Sequence, residues 1–398
     1  MSGPDVIVCG AGAAGLAAAH ALGGLGLRVL VLERRAVPPA IAKGELLQPE
    51  SIGALDGWGV LPALTAAGVE ALSRVCVRDP QGAPLLTLDY DTLTGAYRRM
   101  AAVAHPTLLR ALAEHLGPTV ELRRGVRVVE PLRNGGGRVN GVRVADGETI
   151  HDIPARLVVA ADGVSSRMRT ALLMPARRRR YGHRLVAFDL AGVPVADEVC
   201  AYRGPHGVRL VYPLPGGRVR LYAQVGREEF RGGTGDLHGW ADRLVADTPA
   251  LAPLAEPLRA SLERRQLFAL YRLDTTASAA PGFALVGEAA HALHPVAAQG
   301  LNGAFGDAWA LAAHLAAAGG IEAAAVDRAL RGYTRERTAR HTRTASLAHG
   351  HARMLTGTGG LPRLLGSRTL RRTASDPRPT VAALAGAMDD LHISLTPS

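Results

Sequence analysis

Three short stretches hold residue types suited to one task, gripping an anionic cofactor with backbone. In DVIVCGAGAAGLAAAHAL an apolar run stops at Gly10, and Gly12 and Gly15 complete a GxGxxG before an apolar helical pattern begins. Glycine at such points lets backbone approach a pyrophosphate at a helix N-terminus. The next apolar run, LRVLVLERR, ends in Glu33, at a spacing from Gly15 that suits a carboxylate accepting from a ribose hydroxyl. Strand, glycines, helix and acid in this order point to dinucleotide binding rather than to a bare tight turn. The second stretch, ARLVVAADGVSSRMR, is apolar until Asp162-Gly163, and Ser166 and Arg169 follow in what reads as a helix start. The third, GEAAHALHPVAAQGLN, runs from Gly287 to Asn302 between the apolar PGFALV and the helically spaced NGAFGDAWALAAHLAAA. Small residues there bring backbone close to a ligand, and a cofactor is the natural one.

These stretches need elements to position them. Three apolar strands that end at glycines or acids belong in an open parallel sheet, whose strand ends share the edge where ligands bind. RRGVRVVEPLRNGGGRVNGVRVADGETI alternates across Asn134-Gly135 and Asp146-Gly147 and reads as a β-meander. HRLVAFDLAGV, VRLVYPLPGG and RVRLYAQVG are short alternating strands with Pro/Gly turns, an antiparallel sheet of their own and a substrate platform. After Asp307 the chain is Ala- and Arg-rich and helical to about Gly350, then broken helices or a flexible tail. The fold class is therefore α/β, a Rossmann-type domain with an inserted antiparallel β-sheet domain and a helical C-terminal region. The expected boundaries are 1–75, 101–180 and 281–345 for the first, 76–100 and 181–280 for the second, and 346–398 for the tail.

Composition narrows the function. The chain has 398 residues, 47% of them hydrophobic, enough for a large core. No run of 18 apolar residues offers a membrane span, and the N-terminus enters DVIVCGAGAAG without a basic signal region, which sets a cytoplasmic expectation. Cys9, Cys76 and Cys200 form no CxxC pair, so neither a metal site nor a dithiol centre is expected and redox chemistry must come from a cofactor. The net charge of +11 invites a nucleic-acid reading, but aromatics are only 4% and basic residues cluster only at Arg177 to Arg180, a run read as solvated. No nucleic-acid partner is expected.

Together, GAGAAG, AADGVSSRMR and GEAAHALHPVAAQGLN resemble the group A flavoprotein monooxygenases of the para-hydroxybenzoate hydroxylase type, over about the first 345 residues. The resemblance implies noncovalent FAD, with the ADP part on Gly10, Gly12, Ala13, Ala14, Gly15, Glu33 and Arg34. It links Asp162, Gly163, Ser166 and Arg169 to the pyrophosphate region and to NAD(P)H. It sets Gly287, Glu288, Ala289, Ala290, His291, Pro295, Gln299, Gly300, Leu301 and Asn302 along the ribityl chain and flavin ring. Lys43, His105 and Val126 match positions that border FAD in relatives; a solvated lysine, a helix-start histidine and a core valine are the competing readings. The sequence departs from the pattern twice, with Glu288 where Asp is usual and Ala298 where Gly is usual. Ala298 costs something only if its φ must be positive.

The resemblance further implies an NAD(P)H- and O2-consuming monooxygenase that hydroxylates or epoxidises an aromatic or polycyclic small molecule through a flavin C4a-hydroperoxide, acting as a monomer or homodimer. His294, Pro295, Tyr212 and Arg209 are the candidates for contact with the reacting centre, and Tyr202, Tyr222 and Gln224 for further lining. Strand parity leaves open which face points inward. Prenyl-chain reductases and dehydrogenases share the FAD half and stay open as an alternative, as does a non-catalytic flavoprotein. A second GxGxxG and the WxWxIP of flavin halogenases are both missing from the sequence.

Overall fold

In the computed structural model, which describes residues 3–193, 195–230 and 236–385, the apolar runs of the sequence analysis lie side by side. The strands Val6–Cys9, Val29–Glu33, Val120–Arg124, Leu157–Ala160 and Phe283–Leu285 form a parallel sheet, with Ala279–Ala280 antiparallel at one edge. VIVC, LVVA and FAL are buried on both faces, which is why they read as unbroken apolar runs rather than alternations. Val6, Val8, Val29 and Val31 face the helices Ala13–Gly23 and Gly300–Ala318. Ile7, Cys9, Leu30 and Leu32 face the meander Val126–Arg133, Val139–Asp146 and Thr149–Pro154. Register sets Cys9 beside both Leu32 and Ala160, and Ala160 beside Leu285. All three motifs therefore leave the sheet at one edge.

The second sheet has eight strands in the order His291–Ala292, Gln266–Thr275, Ala176–Ala191, Arg218–Gly226, Gly207–Leu214, Glu198–Gly204, Arg74–Arg78 and Pro84–Asp89. It is antiparallel except where Glu198–Gly204 runs with Arg74–Arg78. Its strand Ala176–Ala191 takes in the basic run: Arg177 to Arg180 are exposed, as a solvated run should be, and paired with Arg272, Leu273 and their neighbours.

The C-terminal region differs more. The helix Ala323–Thr356 passes Gly350, and the described part of the tail folds into helices Gly360–Ser375 and Arg378–Ala385. Met354, Leu355, Leu370, Val381 and Leu384 bury themselves against Leu86, Leu88, Val199 and Leu210 of the eight-stranded sheet. Fully burying each such side chain contributes about 1.5–3 kcal/mol. This segment supplies one wall of a cavity against the sheet. The remainder of the expected tail, 386–398, lies outside the described residues.

Candidate active site

At the sheet edge, sterics select the glycines. Gly10 has φ +111°, and a Cβ there would stand 2.6 Å from the Ala161 carbonyl oxygen; one on Gly15 would stand 1.8 Å from that of Gly10. Gly12 instead faces open space, with nothing within 4 Å of where its Cβ would be. It starts the helix Ala13–Gly23 without a side-chain cap, which leaves the positive end of the helix open to an anion. Glu33 turns its carboxylate to the same place, accepting from the Ala11 amide at 2.9 Å and from the Arg35 amide at 2.9 Å. Arg34 is exposed beside it, and Val126 is buried under the sheet at the start of its strand. An open glycine cradle, an uncapped helix and a carboxylate fit the diphosphate and ribose of a dinucleotide.

The second motif locks onto the third. Asp162 accepts from the Arg167 amide at 2.8 Å and Ser166 accepts from the Arg169 amide at 3.0 Å, so both cap the short helix Arg167–Ala171. Gly163 makes the turn between them with φ +82°. The buried Arg169 guanidinium donates to the Ala289 carbonyl at 2.6 Å and to the Val164 carbonyl at 3.0 Å. The side chains assigned to nicotinamide use are engaged with protein here, and Arg169 braces the cofactor loop.

In the loop itself, Gly287 has φ +59° and a Cβ would collide with that of Ala14 at 2.6 Å, so loop and first helix nearly touch. Glu288 reaches Lys43, whose Nζ lies 2.6 and 2.7 Å from its two oxygens. Those two candidates meet across the site. His105 starts the helix His105–Glu114 against Gly44, with a buried Nδ1 that has no partner and a pKa lowered by burial. Ala298 sits at φ +50°, so the departure from glycine carries left-handed strain of about 1 kcal/mol. Asn302 donates to the Ala298 carbonyl at 2.9 Å and accepts from the Gln48 amide and the Ser51 hydroxyl, while Gln299 donates to the Leu384 carbonyl at 3.0 Å. Leu301 packs into the core. Gly300 faces open space at the start of the next helix, which no side chain caps.

Behind the loop lies a group the sequence analysis missed. The fully buried Asp307 accepts from the Gly287 amide at 2.8 Å, His291 at 3.1 Å, Arg337 at 2.7 Å and His341 at 2.8 Å. Burial opposes its ionisation, yet His341, Arg337 and His291 hold its pKa well below the usual carboxylate range. Burial pushes His341 down to about 4. Two histidines and a carboxylate converge as metal ligands would, but the Arg337 guanidinium occupies the carboxylate, so the group is a charge network that pins the loop. The available signal was one acid inside the otherwise apolar GAFGDAWALAAHL.

The eight-stranded sheet settles its own parity. Tyr212 pairs with Arg220 and Leu210 with Tyr222, and these share a face with Gln224, Ala201 and Val199. Arg209 and Tyr202 stand on the other face, so neither lines the cavity beside the loop; Arg209 donates to the Val208 carbonyl at 3.3 Å instead. Tyr212 is on the inner face, but its hydroxyl donates to the buried Glu45 at 2.9 Å, which also receives Arg220 at 2.8 and 2.9 Å. The Tyr222 hydroxyl donates to the Ala42 carbonyl at 2.6 Å. His294 does not line the cavity beside the loop either. Its Nδ1 accepts from the Val296 amide, its Nε2 meets His183 at 2.9 Å, Tyr181 packs edge-on at 4.7 Å, and burial pushes its pKa to about 3. Of the four candidates, Pro295 alone reaches the cavity between sheet, loop and C-terminal helices, where Leu46, Leu88, Met100, Leu210 and Met354 are among its walls.

Known proteins resemble this arrangement. The FAD binding domain family model matches residues 4–348. The 3-amino-4-hydroxybenzoate 2-monooxygenase PtnB3 of Streptomyces platensis is 31% identical over 334 residues, 79% of this chain and 80% of its own. Digeranylgeranylglycerophospholipid reductase 2 of Methanopyrus kandleri is 28% identical over 308 residues, 75% and 73% of the two chains. Among solved structures, PqsL, a probable FAD-dependent monooxygenase from Pseudomonas aeruginosa, aligns with a TM-score of 0.78 at 28% identity, covering 94% of this chain and 99% of that one.

Proposed function

The chain belongs to the group A FAD-dependent monooxygenases, and on that premise we propose that it takes electrons from NAD(P)H and one oxygen atom from O2 to hydroxylate or epoxidise an aromatic or polycyclic small molecule. FAD, when bound, supplies the acceptance of hydride and the activation of oxygen. This chain's residues bind, orient and exclude water. The amides around Gly12, Ala13 and Ala14 would hold the diphosphate, Glu33 the ribose, and Lys43, His105 and Glu288 the stretch toward the flavin. Backbone from Pro295 to Asn302 would border the flavin. Residues 1–75, 101–180 and 281–345 act as the cofactor unit, and 76–100 with 181–280 as the substrate unit.

The observation that carries this reading is the junction of the apolar cavity with the loop at Pro295, Val296, Ala297 and Ala298, a dry site beside the cofactor edge. No described helix is long and apolar enough to cross a membrane, and the enzyme acts in the cytoplasm as a monomer or homodimer. The test is FAD content together with aerobic NAD(P)H oxidation across a panel of phenols and quinones. Slow oxidation alone, accelerated by one compound class, supports it; a protein that takes up no FAD refutes it.

A further inference from the structure

We propose that the substrate is uncharged and apolar and that aromatic carboxylates are rejected. The proposal rests on the monooxygenase reading for the location of the substrate and goes beyond it in naming the class.

Among the described residues the cavity walls are Leu, Val, Met, Ala and Pro, interrupted only by Gln48, Tyr90 and His351. None of the three is a cation at neutral pH: burial lowers the pKa of His351 and raises that of Tyr90. The Tyr90 hydroxyl donates to Gln48 Oε1 at 2.9 Å, which leaves the Gln48 amide nitrogen as the donor for a substrate oxygen. Guanidinium groups on the surrounding strands are all turned away or engaged. Arg74 and Arg78 alternate to the outer face and pair with Glu198 at 3.8 and 2.9 Å. Arg203 donates to Ser367 at 2.7 Å and to the Arg363 carbonyl at 2.5 Å. Arg209 stands on the outer face, and Arg220 holds Glu45 with two bonds.

A carboxylate in this cavity gives up its hydration and meets one amide donor but no cation, which strongly favours exclusion or neutralisation. A neutral phenol or carbonyl loses little, because one amide donor serves it.

The test uses FAD-loaded protein at neutral pH, without NAD(P)H, and follows the flavin absorbance during titration with 1-naphthol or with 1-hydroxy-2-naphthoate. The expected result is a Kd at least about 100-fold lower for the naphthol. Equal affinity, tighter binding of the carboxylate, or no response to either probe overturns the inference. Leu210→Arg, which puts a cation on the inner face, is expected to narrow the ratio at least about tenfold; if it loses FAD, the wild-type comparison decides alone. Naphthol binding without stimulated NAD(P)H oxidation counts against the monooxygenase reading and leaves the substrate class standing.

Discussion

The two sheets meet their ligands by different means. At the edge of the parallel sheet recognition falls to backbone, and side chains matter mainly by their absence, as Gly10, Gly12 and Gly15 show. On the face of the eight-stranded sheet, where the proposed substrate cavity lies, recognition would fall to side chains, and strand parity separates Tyr212 on the inner face from Arg209 on the outer one. Damage at the first region should therefore abolish cofactor or fold, whereas damage at the second should change only the choice of substrate.

The largest effect should come from the network that joins the two regions. Asp307→Asn leaves Arg337 buried without its counter-charge and is expected to cost about 3–5 kcal/mol in stability by denaturant unfolding. The acid response has a defined sign. His341, lowered to about 4 in the fold, favours the folded state above the unfolded value of about 6.5, and that stability drains away as pH falls from there toward 4. The depressed Asp307 contributes stability above the ordinary carboxylate pKa and loses it only as pH falls below that. His341→Asn should flatten the decline between pH 6.5 and 4. An unchanged slope would remove His341 from the network.

Next in size, Gly15→Ala forces a methyl onto the Gly10 carbonyl and should cost about 3 kcal/mol, read as protein purified with little FAD. Full FAD content would mean that the cradle yields, and the contrast between the regions would weaken. On the other sheet, Leu210→Ala should keep FAD and raise KM roughly tenfold through lost apolar contact, while Arg209→Gln leaves KM within about twofold. A large KM effect at Arg209 would reverse the assignment of faces. The smallest effect is Ala298→Gly, which relieves the left-handed strain against the extra chain entropy of glycine and should stabilise by about 0.5 kcal/mol, measured as a small rise in Tm.

The same contrast explains what could be read from sequence. Backbone recognition leaves local marks, so Gly10, Gly12, Gly15, Glu33, Asp162 and the loop from Gly287 were legible together with the order of strands that carries them. Ala298 was flagged as costly only at positive φ, and its φ is positive. The cavity depends on contacts distant in sequence. Gln299 reaches the Leu384 carbonyl, Glu45 receives Arg220, and Met354 packs among strand residues from Val77 to Leu214, and no local pattern announces such pairs. Parity was undecidable because Val208, Arg209, Leu210, Val211 and Tyr212 are all buried, so burial alone gave no alternation to read.

The central claim is that the apolar cavity against the Pro295–Ala298 turn is where a substrate carbon receives an oxygen atom from O2. Turnover under labelled dioxygen, with the product read by mass spectrometry, tests it most directly. The account predicts one labelled oxygen atom per product molecule and no product without O2; unlabelled product, or product formed equally well under anaerobic conditions, would contradict it.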